Sequence, residues 1–420
     1  ASYLWNQLGA MRLTDAVAAM PDQAKLIHTS SVAVYGSRTL DHPWGRPGDP
    51  LLPSVYDFYA MHKMIAERYV MESPVKSWAV LRQTAMLYDG IIFSNISDGL
   101  LFHTTLNGPL EWVTAHDSGY LIKRIVEREA EGANESFWPG VYDISGGAAN
   151  RRTGFDTFKD GCAVMGGAPK SYFRPDWCAT RNFHGLWYAD NTLEDMFGYQ
   201  RETVEQFWQA MGKKYKIFKM ARMLPPALIK LAVFKRLLGD SNAPSRWLKD
   251  GDVAKVTAAF GSVEQAKALP KKWENFIVES AEEHGSAEKY PKSNLRGKML
   301  CHGYDEEKPM EEWDLKDMQG AAAFRGGKCL SAEMASTPRS KLLWQCSEGH
   351  TFSASPFTVL KGGHWCPFCQ PQPWIYDKLA KKSPYIAQVW YDSHSPSENY
   401  SYSFDKEGAA HMEDMSEEDK

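Results

Sequence analysis

Tyr59 and Lys63 stand four residues apart in the run Tyr-Asp-Phe-Tyr-Ala-Met-His-Lys, and Ser31 closes the run Ile-His-Thr-Ser-Ser upstream of them. On a helix, residues at i and i+4 share one face, so this phenol and ammonium would meet. A tyrosine with an ordinary pKa near 10 is a poor base at neutral pH, and a neighbouring ammonium lowers that value by stabilising the phenolate. A hydroxyl on the preceding strand can then hold a substrate oxygen while the proton moves. The three groups together are the equipment of a proton relay at a carbinol or carbonyl carbon.

A second constellation lies nearer the C-terminus. Cys346 and His350 fall in Cys-Ser-Glu-Gly-His, and Cys366 and Cys369 in Cys-Pro-Phe-Cys. Two close pairs separated by about 15 residues have the spacing of a zinc ribbon, in which two tight turns meet around a tetrahedral ion. Four protein ligands close the shell, so this zinc would be structural. Cys329 and His364 are alternative ligands, either of which can take the place of His350. Trp344, Phe352, Phe357 and Trp365 would supply a small core that is complete only with metal bound.

The elements that position these residues can be read from pattern. Residues 1–20 carry helical periodicity and end at Pro21. Ala-Lys-Leu-Ile-His-Thr-Ser-Ser-Val-Ala-Val-Tyr-Gly reads as a buried parallel strand closing on Gly36, and a helix is expected from about Tyr56 to Glu72. Residues 77–88 and 140–147 read as further strands. Strands alternating with helices predict an α/β domain with a parallel sheet. Four regions follow: an α/β domain over 1–212, a basic helical linker region over 213–320, the zinc-ribbon module over 321–394 and an acidic tail over 395–420.

In these motifs the first region resembles the extended short-chain dehydrogenases/reductases, the group that includes nucleotide-sugar epimerases and dehydratases. Thr-Ser-Ser-Val-Ala-Val-Tyr-Gly followed by Tyr-x-x-x-Lys carries most of the resemblance; Asn-Gln-Leu-Gly-Ala, Val-Leu-Arg-Gln-Thr and Val-Tyr-Asp-Ile-Ser-Gly-Gly add to it. It implies a Rossmann-like, doubly wound parallel sheet and NAD or NADP as cofactor. It also implies Tyr59 as acid/base, Lys63 as ribose-binding residue and pKa modulator, and Ser31 as partner of the substrate oxygen. Ser31 is preferred to Ser30 and Thr29 because the family's hydroxyl immediately precedes the run ending in Val-Tyr-Gly. The C-terminal module likewise resembles zinc ribbons of the pattern Trp-x-Cys-x-x-Gly-His … Cys-Pro-x-Cys.

Such a domain ordinarily opens with a strand, a glycine-rich turn and a helix that receive the pyrophosphate. No Gly-x-x-Gly-x-x-Gly sequence occurs in this chain, which starts at Ala1 without a methionine. The sheet is therefore expected to be incomplete, with the first nucleotide-binding half either preceding Ala1 or lost. This stretch alone is expected to be inactive. Trp112, Arg151, Arg152 and Arg181 lie where substrate contacts can fall.

Composition limits the remaining choices. A net charge of −4 argues against a general nucleic-acid binder, and seven cysteines in 420 residues do not make a disulfide framework. With no leader or spanning run, a cytoplasmic setting is expected and a membrane partner is not. The partners expected are a small-molecule substrate and a second copy in a homodimer. Lys213 to Arg236 contains eight basic residues and no acid, interleaved with apolar ones; it reads first as a surface helix pair packed on the domain, and otherwise as an interfacial membrane segment, a lid or a dock for the acidic tail. Two functions compete: an NAD(P)-dependent oxidoreductase or epimerase/dehydratase acting on a sugar-nucleotide-like or other carbinol substrate, and a non-catalytic protein that uses a degenerate dehydrogenase scaffold and a zinc ribbon to recognise protein or nucleic acid.

Overall fold

The computed structural model describes residues 2–282, 299–404 and 410–415. The acidic end of the chain, 416–420, and part of the polar linker lie outside the described residues. After an N-terminal helical segment ending in α1 (Ala10–Ala18), the chain forms β1 (Leu26–Ser31), α2 (Phe58–Met71), β2 (Trp78–Gln83), β3 (Ala85–Leu87), β4 (Pro109–Thr114), α3 (Ala115–Ala130), β5 (Gly140–Ile144) and β6 (Arg151–Thr153). β1, β2 and β5 pair in parallel in that order, with Leu81 opposite Thr29 on one side and Tyr142 on the other. The expected α/β fold with a parallel sheet is what the chain adopts.

Both faces of this sheet are covered, which is why the β2 sequence Trp-Ala-Val-Leu-Arg is apolar almost throughout. Trp78 and Val80 pack with Val70 and Met71 of α2. The alternate residues Ala79 and Leu81 pack with Leu121 and Ile125 of α3 on the other face. Period-2 alternation along one strand thus serves two helices.

Two strands differ from expectation. The strand expected to run to Gly36 stops at Ser31, whose Oγ accepts the Ala33 N–H at 3.2 Å and turns Val32–Tyr35 into a 3₁₀ helix. The strand expected over 77–88 breaks at Thr84, whose amide donates to the Ile144 carbonyl and whose hydroxyl donates to the Glu111 carbonyl. The chain beyond it, β3, leaves the first sheet and pairs with β4, which pairs in turn with β6.

Near the C-terminus, β7 (Lys328–Cys329), β8 (Leu342–Gln345) and β9 (Thr351–Ala354) form a small antiparallel sheet. Part of the expected tail is a two-stranded ribbon, with Tyr400–Phe404 paired to Ala410–Asp414. The regions separated by sequence share cores: Leu52, Val55 and Met61 pack in one cluster with Ala258, Trp313 and Trp344.

A buried ionic network makes the same join. Arg82 of β2 holds the Glu67 carboxylate of α2 through two nitrogens, at 2.6 and 3.3 Å, and donates to the Gly362 carbonyl at 2.6 Å. His364 Nε2 donates to the same carboxylate at 2.9 Å. On its other side Arg82 donates to the Tyr35 hydroxyl, which donates to Asp143. Glu67, Arg82 and His364 are all inaccessible to solvent. Burial alone would raise the Glu67 pKa, but the charge of Arg82 and the His364 hydrogen bond outweigh it and hold it at about 2. The 362–365 loop reaches this depth because Gly363 has φ +74°, and a Cβ there would lie 2.2 Å from the Asp49 carbonyl oxygen.

Glu67→Ala leaves the Arg82 guanidinium buried without its carboxylate and should cost about 3–5 kcal/mol, read by denaturant unfolding. Because the folded-state pKa of Glu67 lies below its unfolded value of about 4.5, its contribution is present above that value and is lost as pH falls towards about 2. The wild type should therefore lose more stability over that range than Glu67→Gln does.

Candidate active site and metal centre

α2 is aimed by the turn before it. Tyr56 has φ +67°, a costly conformation for a bulky residue, and Asn182, itself at φ +68°, clamps the backbone of Val55 by accepting its N–H at 2.8 Å and donating to its carbonyl at 3.1 Å. Asp57 then caps the helix by accepting the Ala60 N–H at 2.9 Å. Met61, Met64 and Val70 face the core, which leaves Tyr59 outward and 41% exposed.

The three expected catalytic residues come together. Ser31 closes β1 at its carboxyl end, near enough to the Tyr59 phenol for its side chain to influence that group's pKa. The Lys63 ammonium lies 5.8 Å from the centre of the Tyr59 ring and donates to the Thr29 carbonyl at 2.9 Å. The electrostatics differ from the expected pattern. Burial raises the Tyr59 pKa, Ser31 opposes that rise, and the Asp57 charge adds to it. Lys63 is itself lowered by burial, against the pull of Glu67. Its ammonium is directed to a backbone carbonyl, and burial, the largest influence on Tyr59, favours the protonated phenol.

Tyr59 lines a cavity of about 800 Å³ whose wall is mainly apolar, with Ile92, Leu101, Trp112, Phe158, Met165 and Phe234 among the lining residues. Asp57, His103, Asn182 and His184 bring polar groups into it. The His184 ring lies 3.7 Å from Asp57, and His103 Nε2 is 2.6 Å from the Asn242 carbonyl. Neither histidine carried a sequence motif; both reach the cavity from segments far from Tyr59, and only the fold joins them to it. Of the residues expected to touch substrate, Trp112 and Arg181 line the cavity. Arg181 is already paired with Glu398 at 3.0 Å. Arg151 is held by Glu111, and Arg152 by Asp160 and Glu205.

The second constellation also assembles. Cys346 and His350 flank the tight turn between β8 and β9, with Gly349 at φ +81°, while Cys366 and Cys369 close a second turn. Their four ligand atoms lie within 4.8 Å of one another. Cys346 and Cys369 sulfurs are 3.8 Å apart, and His350 Nδ1 lies 3.2 to 3.6 Å from the three sulfurs. A tetrahedron with bonds of about 2.3 Å to sulfur and about 2.0 Å to nitrogen has edges of this size, so the residues fit zinc. Hydrogen bonds from Cys366 and Cys369 hold the Cys346 thiol far below its usual range, and Cys346 in turn pushes those two up. The alternative ligands are elsewhere: His364 is bound to Glu67, and Cys329 pairs across to Trp344 in the small sheet.

No family model and no curated protein matches the chain. Among solved structures, it is similar over 51% of its length to 68% of a dTDP-glucose 4,6-dehydratase from Bacillus anthracis in complex with NAD, at 17% identity and a TM-score of 0.37. It is similar over 51% of its length to 67% of a UDP-glucuronic acid 4-epimerase from Bacillus cereus, at 14% identity and a TM-score of 0.38. A short-chain dehydrogenase/reductase superfamily protein from Agrobacterium tumefaciens matches 52% of the chain over 73% of its own, at 15% identity and a TM-score of 0.33. Likeness at this level assigns neither family nor activity.

Elemental analysis of the purified protein should find about one zinc per chain. Cys369→Ser should lose it and quench or shift the fluorescence of Trp344 and Trp365, which pack beside the cluster. A metal-free protein whose 342–369 segment is folded would contradict the assignment.

Proposed function

We propose that this chain carries the substrate and proton-transfer half of an NAD(P)-dependent oxidoreductase that acts on a carbonyl or carbinol carbon. The observation that carries this reading is the Ser31–Tyr59–Lys63 cluster, set at the carboxyl end of a parallel strand beside the cavity. The ribose and nicotinamide end of the dinucleotide fits the outward face of α2, where Tyr59 and Lys63 would hold it. Its pyrophosphate finds no Gly-x-x-Gly-x-x-Gly turn in the sequence. When bound, the cofactor supplies the hydride.

The chain's own residues account for the proton. Ser31 orients a substrate oxygen, and Tyr59, protonated at neutral pH, donates to it at the phenolic oxygen. Lys63 holds its charge near the resulting phenolate. The apolar wall excludes water from the reacting carbon. The cavity also favours a substrate with a large apolar body over a sugar nucleotide, since Arg181, the arginine on its wall, is already paired with a carboxylate.

The non-catalytic alternative rests on two observations: the Lys63 ammonium is spent on the Thr29 carbonyl, and burial is the largest influence on Tyr59. The readings separate in an assay of the full chain for NAD(P)H oxidation with apolar ketones. Tyr59→Phe should lower kcat by about 10²-fold or more while leaving NAD(P)H affinity within about twofold. Absent turnover in the wild type, or equal turnover in the variant, would favour the scaffold. The proton-donor role also sets a pH dependence. With the Tyr59 pKa raised above its ordinary value, reduction should stay undiminished through neutral pH and fall only as pH rises beyond about 10.

A further inference from the structure

The segment from Lys213 to Arg236 is packed on one face only. After the helix Val204–Lys214 it forms two short helices, Lys216–Ala221 and Pro226–Ile229, and the second continues as helical chain to Leu237. The inner face is anchored. Phe218 packs with Phe207 and Met211, Ile229 and Phe234 pack with Phe102 and Phe173, and Arg222 Nε donates to the Val164 carbonyl at 3.1 Å. The expectation of a helix pair lying on the domain is met here.

The outer face is different. Met223, beside the reversal at Leu224-Pro225-Pro226, is 84% exposed, Met220 65%, Leu231 59%, and Ile217, Leu224 and Leu228 are half exposed or more. Burying a Met or Leu side chain is favourable, so six left outward in one short stretch mark a surface that something covers. The flanks are cationic. Lys213, Lys216, Lys235 and Arg236 are exposed, and the stretch contains no acid. Asp89, which faces it from another loop, is paired with Lys214.

An apolar tip between cationic flanks matches one kind of occupant. Apolar side chains of an interfacial helix enter the acyl boundary of a bilayer, while lysines and arginines remain with anionic headgroups. A second copy meeting this face about a two-fold axis would set the same cations against each other. We propose that residues 213–236 dock the protein on an anionic membrane surface. The element lies on the bilayer: no helix among the described residues is long and apolar enough to cross it. The inner-face residue Phe234 also lines the large cavity, so the docked bilayer lies behind one of its walls.

The test is sedimentation of the full chain with phosphatidylcholine vesicles, with and without phosphatidylserine. The protein should pellet with the anionic vesicles and be released by added salt. Met223→Asp/Leu224→Asp changes exposed positions only; it should reduce binding at least about tenfold while leaving the unfolding midpoint unchanged. Lys235→Glu/Arg236→Glu should weaken binding to the anionic vesicles alone. The proposal is overturned if the parent fails to pellet with anionic vesicles, or if the Met223/Leu224 variant binds as the parent does. It is also overturned if that variant instead converts a dimer to a monomer in sedimentation velocity without any vesicle binding by the parent. None of these readouts uses turnover, so the docking surface stands or falls separately from the proposed reaction.

Discussion

The carboxylate of Glu67 is the point on which three parts of this molecule converge. It lies on α2, accepts two bonds from Arg82 on the central strand, and accepts a third from His364 on the loop that leads into Cys366 and Cys369. A charge removed from water at this depth is tolerated only when its partners are fully in place. The requirement therefore fixes the helix, the strand and the Cys/His module relative to one another. Glu67 is one turn beyond Lys63 and two beyond Tyr59, so the same constraint sets how those side chains meet Ser31. The C-terminal module is built into the support of α2.

The cavity follows from the same arrangement. With the inner face of α2 committed to Met61, Met64 and Val70, Tyr59 is left to face outward, and the strained turn at Tyr56 sets where the helix begins. The opposite wall comes from segments far along the chain: the helix carrying Phe158, the basic segment carrying Phe234, and the loop carrying Asn182 and His184. In the proposed reaction this mainly apolar chamber would receive an apolar substrate. The exposed apolar tip of residues 213–236 would hold that chamber close to a lipid surface.

Local spacing made part of this legible. Tyr59 and Lys63 are one helical turn apart, and the two ligand pairs each occupy one tight turn, so sequence distance is nearly spatial distance. The parallel strands were readable because both faces of β2 are buried and its residues are apolar from Trp78 to Leu81. What sequence did not reveal depended on contacts between segments tens to hundreds of residues apart. His364 reads as a candidate ligand beside two cysteines, yet its partner is Glu67; no local pattern marks that pairing. Asn182, His103 and His184 are ordinary residues until the fold brings them to the cavity. The strand expected over 77–88 is cut at Thr84 by a hydrogen bond to Glu111, whose position depends on the second sheet. The direction of the Tyr59 shift follows from its burial in the fold, which spacing alone does not fix.

The Cys/His module and α2 form one cooperative unit joined at Glu67. Amide hydrogen exchange on His364→Ala tests it most directly, because this substitution removes the module's side chain from the join and leaves the four candidate ligands in place. The account predicts that amides of 58–71 lose protection together with those of 356–370. Loss confined to 356–370, with the α2 amides as slow as in the wild type, would contradict it.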